Sequence, residues 1–233
     1  MRTLKALALN AGEVAVDVGC GTGLLTFEMA LEVGSGGQVI GIDNGPDMLA
    51  YAAQRCDGLD QIELKEGELL NLPIADRTCD AGACVQVLLY IEDVPRAISD
   101  MHRVLRPGGR IAVVETDWHS VILNSSDEAT ARCVFDAWDN AVASANLPVR
   151  LGPMLREQGF TAIRVEAIPI LDTSHSSGSF SVNSLNGLAR IAREQGAISE
   201  SQEAAWLEDL QRQGREGSYF FCVNRFLFSA TKL

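Results

Sequence analysis

Residues 14–25, VAVDVGCGTGLL, constrain this chain more than any other stretch. Val14, Val16 and Val18 alternate with Ala15 and Asp17, which reads as a short buried strand. Gly19, Gly21 and Gly23 follow, and Leu24, Leu25, Phe27 and Met29 then open a helix. Strand, glycine loop and helix in that order predict an open α/β sheet, which binds ligands at the carboxyl ends of its strands. Glycine has no Cβ, so such a loop lets a ligand come close to the backbone. The spacing departs from the dinucleotide fingerprint G-x-G-x-x-G, because Leu24 stands where the third glycine belongs. A tight turn with no ligand is the other reading of this loop.

The next segments continue the same alternation. Gln38–Asp43 reads as the second strand and ends on a carboxylate that can accept two hydrogen bonds from a ribose diol. Asp43 also suits a helix N-cap, since Pro46-Asp47-Met48-Leu49 opens a helix just after it. Gln61–Glu68 reads as the third strand and its turn, and Thr78–Leu89 as an apolar central fourth strand. Gln86 is a polar residue near the end of that strand, and Tyr90 follows it toward the same cleft. A helix from Ile91 to Leu105 then meets Arg106-Pro107-Gly108-Gly109, read as a turn before a fifth strand, Ile111–Glu115. Asp117, Trp118 and His119 are placed just beyond that strand, where polar and aromatic groups face the cleft. His119 titrates near neutrality when unperturbed and is the first candidate base, with Asp117 second.

Taken together, the glycine loop, the spaced acid, Leu72-Pro73 and the Leu105–Gly109 turn resemble class I S-adenosylmethionine methyltransferases of the UbiE-like group. The resemblance runs from about Gly12 to Asp117. It implies a Rossmann-like, mostly parallel seven-stranded sheet of order 3-2-1-4-5-7-6, with strand seven antiparallel. It implies S-adenosylmethionine as cofactor and S-adenosylhomocysteine as product. Asp17, Gly19, Cys20 and Gly21 would then face the methionine part and Asp43 the ribose, with Gly23 also a cofactor-binding residue of the loop. Met48 matches the family's apolar residue against the adenine, and Gln86 lies near the same cofactor. Glu68, where the family carries Asp, and Leu69 beside it would flank the adenine. Family members carry more helical chain ahead of the first strand than the dozen residues here, so the cap is expected to be short or missing.

Residues 1–233 read as one domain, with helical insertions at about 119–150 and 172–217 forming the substrate wall. Helices are expected over 124–150, 151–159, 182–195 and 199–213, the last opened by a Ser199/Gln202 capping box. Strands are expected over 160–170 and 217–230. His175, Tyr219 and Arg225, with Tyr90, Trp118 and His119, are the candidate substrate contacts.

Charge and cysteine usage narrow the function. A net charge of −12 argues against a nucleic-acid footprint and favours a small-molecule substrate. Six scattered cysteines form no C-x-x-C pair, so no metal site is expected and reduced thiols in a cytoplasm are. No apolar run suits a membrane span, and a homodimer is left open. The expected activity is methyl transfer to a small molecule by proximity and orientation. The alternatives are a non-catalytic partner subunit with the same fold and a nicotinamide oxidoreductase.

Overall fold

A computed structural model describes residues 2–233. Seven strands form one sheet: β1 Val14–Val18, β2 Gln38–Asp43, β3 Ile62–Glu66, β4 Cys79–Val85, β5 Leu105–Leu123, β6 Phe160–Asp172 and β7 Phe221–Lys232. Their order is β3-β2-β1-β4-β5-β7-β6, as the resemblance implies. Strands β1 to β5 pair in parallel. Around β7 the direction reverses. Asn124 N–H donates to Phe220 C=O, while Asn224 N–H donates to the Ser120 hydroxyl, so one strand advances as its neighbour retreats.

Among the described residues the eight α-helices are α1 Arg2–Leu7, α2 Leu24–Val33, α3 Pro46–Arg55, α4 Val94–Val104, α5 Glu128–Ala141, α6 Pro148–Glu157, α7 Phe180–Glu194 and α8 Glu200–Glu216. Local chemistry sets their ends. Asp93, Asp127 and Ser179 cap α4, α5 and α7, and the Ser199/Gln202 capping box opens α8 as expected. Gly217 closes α8 in the left-handed region.

Several expected boundaries move. β5 begins at Leu105, not Ile111, and the Arg106–Gly109 turn is a bulge inside it. Cys79 pairs with Leu105 and Ala81 with Arg110, so two steps on β4 match five on β5. β5 also runs on to Leu123, which puts Asp117, Trp118 and His119 within the strand and not beyond it. Val121, Ile122 and Leu123 suit a strand, and pairing with β7 keeps them in one. The helix expected over 124–150 is α5, a loop, and the start of α6. β4 stops at Val85, because Gln86 takes a left-handed conformation (φ 60°) and Leu88–Tyr90 forms a 3-10 turn. β6 extends to Asp172, and β7 starts at Phe221, which leaves Tyr219 ahead of it.

The packing groups the chain into two compact units. The first comprises the chain up to Glu115, Pro148–Glu166 and Phe226–Leu233; the second is Thr116–Leu147 with Ala167–Arg225. In the first, Val16, Val39, Ile42, Ala83, Val113, Met29 and Met101 are buried, so the inner strands are apolar on both faces. Lys232 is buried there too, its ammonium donating to the His102 and Leu105 carbonyls at the end of α4. In the second, Val134, Trp138, Leu185, Leu188 and Trp206 form the core, and the Trp206 indole N–H donates to Ser125.

Candidate functional site

The three glycines after β1 do three different jobs. Gly19 and Cys20 both donate their N–H to the Ile42 carbonyl (2.8 and 2.9 Å), which staples the loop to β2. Gly19 has φ 71°, and a Cβ there would lie 2.4 Å from a methyl of Val87. It is glycine because the turn after β4 crosses it. A Cβ on Gly23 would meet Ala52 of α3 at 2.9 Å, so this glycine serves helix packing. A Cβ on Gly21 (φ 53°) would meet nothing within 4 Å. Gly21 is therefore the point where the bend faces open space.

Asp43 is tied to that same bend. Its Oδ2 accepts the Gly21 N–H and its Oδ1 accepts the Gly45 N–H, both at 2.8 Å. The N-cap of α3 is Gly45, with no side-chain cap, so Asp43 does not serve as a helix cap. Each carboxylate oxygen keeps a lone pair for a further donor. Met48, half-exposed on α3, packs beside Gly45. Glu68 is exposed in a small turn bridged to Asn71, and Leu69 beside it is buried. That segment is braced from α4. Asp100 accepts the Leu72 N–H, and Arg103 donates to Asp100, Asp76 and the Leu72 and Ile74 carbonyls. Burial pushes the Asp100 carboxyl up, but Arg103 and the Leu72 N–H outweigh it and hold it below the usual range.

Asp17 is 2 % exposed and accepts the Thr26 hydroxyl at 2.6 Å. Burial pushes its carboxyl up to about 6, with Thr26 pulling down and the Asp43 charge adding to the rise. A folded value above the ordinary 3.8 means that the folded chain holds this proton more tightly. The contribution to stability is full below pH 3.8 and is lost as pH rises through about 6. Asp17→Asn keeps an acceptor for Thr26 and removes the buried charge. It should raise ligand-free stability above pH 6 by about 2 kcal/mol, seen as a higher and flatter melting curve against pH. Unchanged melting at pH 7 and 8 would contradict the assignment of a costly buried charge. The Cys20 thiol is pushed by burial up to about 12, so it is no nucleophile near neutrality.

The turn after β4 rests on a residue that sequence reasoning passed over. Glu115, 0 % exposed at the end of the apolar IAVV run of β5, accepts the Val87 and Leu88 N–H groups at 3.0 and 2.7 Å. Gln86 donates through its backbone and its side-chain amide to the Val114 carbonyl. These bonds set Val87 against Gly19. The signal was present: a glutamate closing a buried strand needs partners. Tyr90, at the end of the 3-10 turn, is exposed. All of the cofactor candidates, Asp17 to Gln86, fall in the first unit.

The second unit holds the other candidates except Tyr90. His119 Nε2 lies 2.8 Å from Asp139 of α5. The Asp117 carboxylate accepts the His119 backbone N–H. Trp118, His119, Val121, Leu123, Phe135 and Asp139 line a cavity of about 580 Å³. Trp118 stacks near Phe180 and meets Trp138 edge-on, and the Arg225 guanidinium sits 4.6 Å over the Phe180 ring. Trp118 and Arg225 thus share one aromatic cluster. His175 and Tyr219 form a separate edge-to-face pair at 5.3 Å, with Tyr219 buried. Among the described residues no three His, Cys, Asp or Glu side chains are placed to hold a metal, and no helix is long and apolar enough to cross a membrane.

A family model described as a methyltransferase domain matches residues 9–159, well over half of the chain. A 37.1 kDa protein in transposon TN4556 of Streptomyces fradiae is 30% identical over 231 residues, covering 97% of this chain and 65% of that one. A 2-phytyl-1,4-naphtoquinone methyltransferase of Thermosynechococcus vestitus is 40% identical over 109 residues, 47% of this chain and 48% of its own. The chain spans about half the length of most of the curated relatives it matches. Among solved structures, a putative methyltransferase from Bacillus halodurans superposes with a TM-score of 0.69 at 17% identity, covering 99% of this chain and 97% of that one.

Proposed function

Because this chain belongs to the methyltransferase-domain family, we propose that it transfers a methyl group from S-adenosylmethionine to a small-molecule acceptor. The observation that carries the reading is the Asp43 carboxylate held beside Gly21, the one glycine of the bend that opens on free space. The donor set fits the cofactor. Asp43 offers two anionic acceptors for a ribose diol, and Asp17 offers a buried anion for the methionine ammonium. The Gly19–Gly21 bend leaves room for the methionine chain, and Met48 and Leu69, with Glu68 and Gln86 nearby, suit an adenine.

When bound, S-adenosylmethionine supplies an electrophilic methyl on a sulfonium sulfur. The chain's own residues then need mainly to hold acceptor and methyl in line. Such alignment is worth up to ~7–11 kcal/mol. For a hydroxyl or acidic-carbon acceptor a base helps. His119 fills that role, with Nε2 committed to Asp139 and Nδ1 left to take the proton. Trp118 and Arg225 serve as acceptor contacts, with His175, Tyr219 and Tyr90 next, and Asp117 fixes the His119 backbone. We take the second unit, Thr116–Leu147 with Ala167–Arg225, as the wall against which the acceptor would lie. Aromatic walls beside an ionisable pair suit a flat, ring-containing acceptor, and relatives aligned over just under half of the chain are named demethylmenaquinone and 2-phytyl-1,4-naphtoquinone methyltransferases. Six free cysteines fit a reducing cytoplasm.

Isothermal titration with S-adenosylhomocysteine tests the reading. Binding is expected, with no quenching or enhancement of NADH fluorescence on mixing. A well-folded protein that takes up neither S-adenosylmethionine nor S-adenosylhomocysteine would refute it. Transfer of labelled methyl to a panel of phenols, quinols and amines separates an enzyme from a non-catalytic subunit.

A further inference from the structure

β6 is the outer strand of the sheet order, so one side of its backbone has no neighbouring strand. Its middle is exposed: Arg164, Val165, Glu166 and Ala167 form an exposed run. An open, flat edge of this kind templates pairing with another chain unless it is blunted. Here the sequence is complementary to itself. With two copies laid antiparallel about Val165, Arg164 of each faces Glu166 of the other, and Ile163 faces Ala167. Opposite charges directly across an antiparallel pair attract, and like charges there repel. Sliding the register by two residues sets Arg164 on Arg164 in one direction and Glu166 on Glu166 in the other. The charges therefore select one register. Pro169, four residues from the axis, makes no bond across it when Val165 is the narrow pair.

The side chains flanking the axis support the same occupant. Val165 is 55 % exposed and Val149, the second residue of α6, is 65 % exposed. Both border an apolar cavity of about 280 Å³ with Pro153, Phe226 and Phe228. A second copy about Val165 would place another valine there. Arg164 and Glu166 line a groove with Arg2 and Lys5, and Glu166 is ion-paired with Arg2. Across the axis, Glu166 would lie between Arg2 and Arg164 of the second copy. Ala162, in a left-handed conformation, breaks the strand's regularity and limits the ladder to about 163–167.

We propose that β6 is a self-pairing edge, through which two copies of this chain join antiparallel about Val165 into one continuous sheet. The inference does not depend on the methyl-transfer reading.

Sedimentation equilibrium on the full chain tests it. The wild type should dimerise reversibly. Arg164→Glu sets glutamate against glutamate twice across the axis and should weaken the dimer by about tenfold or more, with an unchanged circular dichroism spectrum. The double exchange Arg164→Glu with Glu166→Arg restores opposite charges and should recover the dimer. A wild type that stays monomeric would overturn the proposal. So would a dimer indifferent to Arg164→Glu, or a double exchange that stays as weak as the single one. Glu166→Pro, which removes a ladder N–H from the hydrogen-bonded Arg164–Glu166 pair, should give monomer; a dimer that survives it also counts against the proposal.

Discussion

Asp43→Ala should weaken S-adenosylhomocysteine binding by roughly 1.5–3 kcal/mol, about ten- to a hundredfold in Kd. On the proposed reading, the substitution removes the acceptor for two ribose hydroxyls. It also releases the Gly21 and Gly45 N–H groups that the carboxylate now holds. Both of those groups lie at a partly open site, so water can replace the lost partner. Melting temperature should therefore fall little while affinity falls much. Asp43→Asn should behave similarly, since the Gly21 and Gly45 N–H groups sit on different carboxylate oxygens and one of them would then face the amide NH2. Titration calorimetry on the two variants, beside their melting curves, reads this directly. If the variants bind as tightly as wild type, the nucleoside does not sit on this carboxylate.

Glu115→Ala is expected to cost about 3–5 kcal/mol of folding stability. The part-buried Val87 N–H and the buried Leu88 N–H lose their common acceptor, and the removed side chain leaves a void in a position with 0 % exposure. The turn that those bonds hold presses Val87 onto Gly19. Loosening it should disturb the bend as well, so S-adenosylhomocysteine affinity should drop even at temperatures where the variant stays folded. Urea unfolding gives the first effect and calorimetry at low temperature the second. A loss of stability below about 1 kcal/mol would mean that the turn is held by other contacts.

The first half of the chain was largely legible because its signals are local. Val14–Val18 is apolar but for Asp17 and buried from Ala15 on, as suits a strand between two parallel neighbours, and β1 lies between β2 and β4. The proline opening α3 acts within a few residues of itself, as does the Ser199/Gln202 box farther along the chain. The strand order came from family resemblance and not from periodicity. The second half was harder. β5 was expected to end at Glu115, yet it continues to Leu123 beside β7, whose residues lie about a hundred positions away in sequence. The register of two such distant segments leaves no trace in either one alone. Nor did the His119–Asp139 pair or the Trp118–Phe180–Arg225 cluster announce itself, since each joins separate elements.

From sequence alone came the class of fold, the place of the glycine bend at the end of β1 and the acid that closes β2. These are set by side-chain size, alternation and spacing over a few residues. Tertiary structure alone decided which glycine faces open space, which crowds Val87 and which crowds Ala52, and that Glu115 carries the turn against Gly19. The physical reason is that packing distance and buried hydrogen bonding are properties of pairs, and the pairs here are brought together only when the sheet closes.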